Sequence, residues 1–247
     1  MQARAGQGDL NMKKILAAFL CLPLLAFASG AELHLDRAPD KAGDLASLQH
    51  GAKIFVNYCL NCHSASYMRY NRLKDIGLSE MQVKDNLMFT AEKVGEPMKI
   101  AMQRADAKTW FGKAPPDLTI IARARASEFG SGADWLYTYM RGFYRDETRP
   151  TGWNNVVYEN AGMPHVLWEL QGDQVMGEDR KLKLDRPGTL KPQEFDTLVA
   201  DLVAYLKYMG EPVAEFRKRL GVIVLIFLAV TFVFAYALKR EYWKDIH

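Results

Sequence analysis

Two cysteines stand three positions apart, and a histidine follows the second directly: Cys59-Leu60-Asn61-Cys62-His63. This is the C-x-x-C-H pattern by which a c-type haem is attached. Two thiols about one helical turn apart can reach the two vinyl groups on one porphyrin edge, and the adjacent imidazole then lies beneath the iron. C-x-x-C spacing also serves thiol–disulfide exchange or half of a zinc site. A zinc site needs further ligands, and the sequence holds just one other cysteine, Cys21. A redox dithiol has no use for the trailing histidine and would follow a strand. The spacing therefore points to one covalently attached haem c, with His63 as an iron ligand.

Such an iron has a second axial position. Eleven methionines and four further histidines (His34, His50, His165, His247) are on offer. Most methionines fill gaps in cores. Met163 differs, because Gly162-Met163-Pro164 is a tight, irregular segment in which a fixed sulfur can point at a metal. His165 is its rival. Methionine–histidine ligation raises the reduction potential and fills both axial positions, which suits electron transfer; an open position would restore catalysis or gas sensing. Arg123 and Arg125 are candidates to pair with a haem propionate, since a buried carboxylate needs a cationic partner. Spaced i, i+2 on a helix, they cannot both face it. Trp110, Trp135, Tyr139 and Trp168 are candidate porphyrin contacts, with core packing as the competing role.

The elements that must position these groups read as mostly helical. Residues 46–64 have helical spacing, with Leu48, Ala52, Phe55 and Cys59 on one side. Residues 77–115 read as loop with a short helix or two. Pro115-Pro116-Asp117 then punctuates the chain, and Asp117 is placed to cap a helix over 118–126. Gly130–Gly132 breaks that helix, and 133–142 resumes with Trp135, Leu136 and Tyr139 on its apolar side. Residues 144–190, rich in glycine, read as a second long loop. The strongest helical signal is 192–209: Pro192 suits a first-turn position, and Phe195, Leu198, Val199, Leu202, Tyr205, Leu206 and Met209 trace a stripe with a period of 3.6 residues.

Two apolar segments flank this body. Lys13-Lys14 precede the apolar run at 15–27, and small residues follow, as in a secretory signal peptide cleaved before Ser29 or Ala31. Residues 1–11 read as an upstream extension ahead of Met12. Leu220–Leu238 carries no charge and at about 1.5 Å per residue reaches about 28 Å, close to the thickness of bilayer hydrocarbon. Arg217-Lys218-Arg219 and Lys239-Arg240 bracket it, with Tyr236, Tyr242 and Trp243 as interfacial aromatics. Basic flanks on both sides leave orientation to the signal peptide, which exports the body and keeps the tail inside. The expected organisation is a signal peptide over 1–30, an exported haem domain over 31–216, an anchor with its basic flanks over 217–240 and a cytoplasmic tail over 241–247. A bacterial inner membrane with a periplasmic haem domain fits this layout. Of the 247 residues, 49% are hydrophobic and 25% charged, with a formal net charge of +3. That composition excludes a disordered chain and does not suggest nucleic acid as a partner. The basic excess belongs to the signal and anchor; the exported body is mildly acidic.

Taken together, these motifs resemble the cytochrome c1 family, the membrane-anchored haem subunit of ubiquinol–cytochrome c oxidoreductase. The resemblance runs through Gly51, Val56, Cys59, Cys62, His63 and Ser64, then Tyr67 and Tyr70. It continues with Pro115-Pro116-Asp117-Leu118, Ile121-Ala122-Arg123-Ala124-Arg125, Asp134-Trp135, Gly162-Met163, Trp168-Glu169, Tyr205-Leu206 and Glu211-Pro212, and ends in the basic flanks of the span. It implies a cytochrome c-like haem domain, mostly α, with long loop insertions and one C-terminal transmembrane helix. It further implies thioether links from Cys59 and Cys62, axial ligation by His63 and Met163, Arg125 near a propionate, and Pro115 and Pro116 against the porphyrin. The implied partners are cytochrome b, the Rieske iron–sulfur protein as electron donor and a cytochrome c as acceptor, in a dimer of multi-subunit units. The complex is an oxidoreductase of the respiratory chain, but no bond would be made or broken in this chain. The sequence lacks the long acidic run that serves as a docking patch in mitochondrial relatives, and His165 departs from the usual loop.

Overall fold

The structure, a computed structural model, describes residues 33–245. The expected signal peptide and the last two residues of the tail lie outside the described residues. Helix α1 (Leu45–Ile54) starts where Asp44 accepts hydrogen bonds from the amides of Ala46 and Ser47. It continues into a wider π-turn, Phe55–Cys59. The expected helix thus forms, but its last turn is wound differently, with the Leu60 amide reaching back to the Phe55 carbonyl. Strand β1 (Ala65–Arg69) and a 3₁₀ segment, Tyr70–Ile76, follow.

Residues 77–115 contain two helices, as their pattern predicts. These are α2 (Glu80–Asn86), opened by a reciprocal Ser79–Gln82 capping box, and α3 (Arg104–Phe111). Between them β2 (Pro97–Met98) pairs antiparallel with β1. The helix expected after Asp117 shrinks to the single turn α4 (Ile121–Ala124). Asp117 does not cap it: one carboxylate oxygen takes the Thr119 amide and hydroxyl, and the other takes the Ser66 amide. One acceptor is thus spent within the loop and the other on tying it to β1. Helix α5 (Gly132–Arg141) begins at a Ser131–Asp134 capping box.

The stretch 144–190 is more ordered than its glycine content predicts. Strands β3 (Phe143–Arg145) and β4 (Trp153–Asn155) form one antiparallel hairpin. After the short helix α6 (Trp168–Gln171), β5 (Gly172–Met176) and β6 (Leu182–Pro187) form another. Three-residue strands are too short to show alternation, and in the second hairpin β5 is mostly half-buried while β6 is mostly exposed, so neither carries a period-2 signal. Helix α7 (Pro192–Gly210) has proline in its first turn, as predicted. Helix α8 (Ala214–Tyr242) is long and apolar enough to cross a membrane, and none of its residues is buried against the rest of the protein.

The core is built where α1 crosses α7. A Cβ on Gly51 would lie 2.1 Å from the carbonyl oxygen of Asp201, so the two backbones approach at a distance only glycine permits. Leu48, Ala52, Phe55 and Cys59 are all buried, in agreement with the predicted stripe, and the Phe55 ring meets fully buried Tyr205 at 5.7 Å. Buried Asp201 is held by Lys41 Nζ and His50 Nδ1, each at 2.7 Å. Burial by itself would raise its pKa, but these donors keep it below the usual carboxylate value. The extended segment before α1 is stitched to α5 by bonds from the Asp36 amide to Thr138 and from the Ala38 amide to Asp134. The framework around the cysteines is therefore pinned on two sides.

Candidate haem-binding site

Cys59 is the last residue of the π-turn and is buried; Cys62 is half-buried in the turn that follows, and both are free thiols. The carbonyl of Cys59 accepts from the amides of Cys62 (3.1 Å) and His63 (2.9 Å), which folds the motif into one compact bend. Burial, reinforced by the neighbouring Cys62, pushes the Cys59 thiol up to about 12. His63 Nδ1 lies 2.8 Å from the carbonyl oxygen of Pro116. A carbonyl can only accept, so Nδ1 carries the proton and Nε2 is left as the free lone pair. Desolvation lowers the His63 pKa and favours that neutral form, although the Pro116 bond and Asp117 oppose it.

The Pro115-Pro116 loop is fixed to the strand after the motif. Leu118 donates its amide to the Ser64 carbonyl, Ser66 to Asp117 and Tyr67 to the Thr119 hydroxyl. Pro116 meets the histidine through its backbone carbonyl, and Pro115 is half-buried beside it.

Met163 is half-buried in the segment after β4, and its sulfur accepts from the Tyr139 hydroxyl at 3.6 Å. Two residues that pattern reading passed over hold this loop. Buried Asn155 donates its side-chain amide to the Tyr139 carbonyl (2.7 Å) and accepts the Val157 amide. Buried Asn154 accepts the amide of Asn160 (2.8 Å), which stabilises the left-handed conformation of Asn160 at φ 62°. The one sequence signal for them is the Asn-Asn pair between a turn glycine, Gly152, and Met163.

The aromatic residues sort themselves. Trp135 stacks on Tyr139 at 4.8 Å, and Tyr139 meets Phe143 at 5.0 Å. Arg125 lies with its guanidinium 4.4 Å over Trp135 and 5.5 Å from Tyr158. Arg123 is exposed, so of the two arginines Arg125 is the one turned toward the aromatic wall near Met163. Trp110 is 63% exposed on α3. A cavity of about 370 Å³ is lined by Asn57, Tyr58, Asn61 and Cys62 on one side and by Trp153, Pro164, His165, Val166 and Trp168 on the other. It brings the C-x-x-C-H turn and the Met163 loop to a common space, although a hundred residues separate them in sequence.

His165, the rival to Met163 in sequence, is buried rather than a loop surface residue. Its ring stacks on Phe143 at 4.9 Å and meets the edge of Trp153 at 5.0 Å. Desolvation pulls its pKa down to about 4, against weaker opposing effects of Gln171 and Asp173. Two free thiols, a neutral histidine with one nitrogen pinned, and an apolar wall carrying a cation and a thioether form a donor set that fits a c-type haem.

Comparison with known proteins points to one family. The model of the Cytochrome C1 family matches residues 37–246. Cytochrome c1 of Allochromatium vinosum is 49% identical over 95% of this chain and 99% of its own length. A Nitrosomonas europaea protein named ammonia monooxygenase gamma subunit is also 49% identical, over 96% of this chain and 99% of its own. The mitochondrial cytochrome c1 haem protein of Saccharomyces cerevisiae is 25% identical over 84% of this chain and 70% of its own. With the family match spanning both the haem-type site and the apolar C-terminal helix, the chain belongs to the cytochrome c1 family.

Proposed function

We propose that this chain carries electrons singly from a Rieske iron–sulfur protein to a cytochrome c, as the haem subunit of a quinol–cytochrome c oxidoreductase beside cytochrome b. The observation that carries the reading is the Pro116 carbonyl at His63 Nδ1, which prepares Nε2 as a metal ligand next to two free thiols. Haem c, when bound, supplies a one-electron iron couple. Cys59 and Cys62 would form its thioether links, and His63 Nε2 and Met163 Sδ would be its axial ligands. Met163, a softer and weaker donor than a second imidazole, would favour the reduced iron and raise the potential. Arg125 would neutralise a propionate, and Pro115 and Pro116 would close one face. Burial by Trp135, Tyr139 and Phe143 excludes water. Among the described residues, the cavity wall at Cys62 is lined by aromatic, amide and apolar side chains with His165, so electron exchange there would rest on close apolar and amide contact.

The exported domain over 31–216, the anchor over 217–240 and the cytoplasmic tail define the proposed topology, with the haem domain in the periplasm of a bacterial inner membrane. The complex would be a dimer of multi-subunit units. The name of the Nitrosomonas relative supports a second reading, a carrier attached to a monooxygenase, which uses the same haem site. One experiment separates the two. The full chain, tagged after His247, is recovered from membranes in mild detergent and assayed for b-type haem and inhibitor-sensitive quinol–cytochrome c reductase activity. Recovery of both supports the first reading. A c-type haem protein recovered without b-type haem or reductase activity overturns it.

A further inference from the structure

Both ring nitrogens of His165 are buried and have no hydrogen-bond partner among the described residues, although the residue is only 1% exposed. An imidazole always presents one donor and one acceptor or two donors, so leaving both unmet is costly. Native proteins keep such groups where they have a use. The ring is held by the Phe143 face and the Trp153 edge, and its polar neighbours Gln171 and Asp173 make no hydrogen bond to it. It lines the same cavity as Cys62, so open space separates the ring from that end of the C-x-x-C-H turn.

Its place in the chain adds to this. His165 lies two residues beyond Met163, a span the backbone covers in about 7 Å. Residues 156–167 belong to no helix or strand. Gly162 has open space where a side chain would project, so the segment carrying Met163 can shift without a clash at that point.

Resting on the reading of Met163 as axial ligand, we propose that His165 is a reserve ligand: when the Met163 sulfur does not hold the sixth position, an imidazole nitrogen of His165 donates its lone pair to the haem iron instead. No electron changes hands in this exchange. One iron–sulfur bond is replaced by one iron–nitrogen bond.

The test uses the full-length haem-loaded chain in detergent and compares wild type, Met163→Leu, His165→Phe and the double variant. Leucine at 163 keeps the loop's volume while removing the donor. The readouts are the ferric optical and paramagnetic-resonance spectra and the carbon monoxide affinity of the ferrous form. Met163→Leu is expected to stay six-coordinate and low-spin with a nitrogen pair, and to bind carbon monoxide at least tenfold more weakly than the double variant, which turns high-spin. A Met163→Leu spectrum as high-spin as that of the double variant overturns the proposal and leaves Met163 as ligand. A Met163→Leu spectrum identical to wild type, with His165→Phe high-spin, instead overturns the assignment of Met163. Should Met163→Leu not accumulate, wild type and His165→Phe are compared in guanidinium below the unfolding transition, where the thioether dissociates first. A low-spin nitrogen-ligated species in wild type alone supports the proposal, and identical spectra overturn it.

Discussion

The Tyr139 hydroxyl donates to the Met163 sulfur at 3.6 Å, while the Tyr139 carbonyl, in the same residue, accepts the side-chain amide of Asn155 at 2.7 Å. One residue of α5 therefore contacts the proposed sulfur ligand and anchors the start of the loop that carries it. The pair sets how freely the thioether can move.

Tyr139→Phe is expected to leave haem attached and Met163 in place while lowering the reduction potential. A hydrogen bond to the sulfur weakens it as a donor to oxidised iron, and the variant removes that bias. The stability change should stay near 0.5–1.5 kcal/mol, the usual net worth of one hydrogen bond. Redox titration together with thermal unfolding checks both.

Asn155→Ala should do more damage. It removes one of the two donors to the Tyr139 carbonyl, which keeps the Gly142 amide, and frees the Val157 amide, costing about 0.5–1.5 kcal/mol for each lost hydrogen bond. The expected spectrum is a mixture with part of the iron no longer bound by sulfur, read from the optical band of the methionine-ligated form.

Asp117→Ala tests the other axial side. Asp117 joins the proline loop to β1 through Ser66 and Thr119, and that loop carries the carbonyl that orients His63. Groups of this second layer typically affect metal affinity or activity by about 10–100-fold. The variant should accumulate less haem-loaded protein at equal expression, measured as haem per polypeptide.

Gly51→Ala would place a methyl group 2.1 Å from the Asp201 carbonyl oxygen. Helices α1 and α7 must then separate, and overpacking of this kind costs about 1–3 kcal/mol or more. Lowered thermal stability with an unchanged haem spectrum is the expected result, since Gly51 precedes Cys59 by eight residues in the chain.

Asp201 also gives a pH dependence with a defined sign. Its folded pKa lies below the ordinary value of 3.8, with burial outweighed by bonds from His50, Lys41 and Ser47. The unfolded chain therefore binds the proton more readily. The stabilisation is fully present above the unfolded value and is lost as pH falls through the folded one. Asp201→Asn should flatten the decline in unfolding free energy below about pH 4, measured by denaturant titration at several pH values.

The sequence by itself determined the parts that depend on local spacing. The C-x-x-C-H turn, the stripe of α7 and the apolar C-terminal segment are each set by residues within a few turns of one another. Family membership followed from the same motifs. Tertiary structure decided whatever depends on distant partners. Asp117 could satisfy a helix end or a strand, and only the approach of β1 selects the strand. Arg123 and Arg125 are equivalent in sequence until α5 brings Trp135 beneath one of them. Asn154, Asn155 and His165 carry no local periodicity, yet burial against residues of α5 and of the β3–β4 hairpin makes two of them supports for the Met163 loop and leaves the third without a partner. Hydrogen bonds and burial across long sequence separations have no signature in local pattern, because the same side chain is neutral in water and decisive once water is removed.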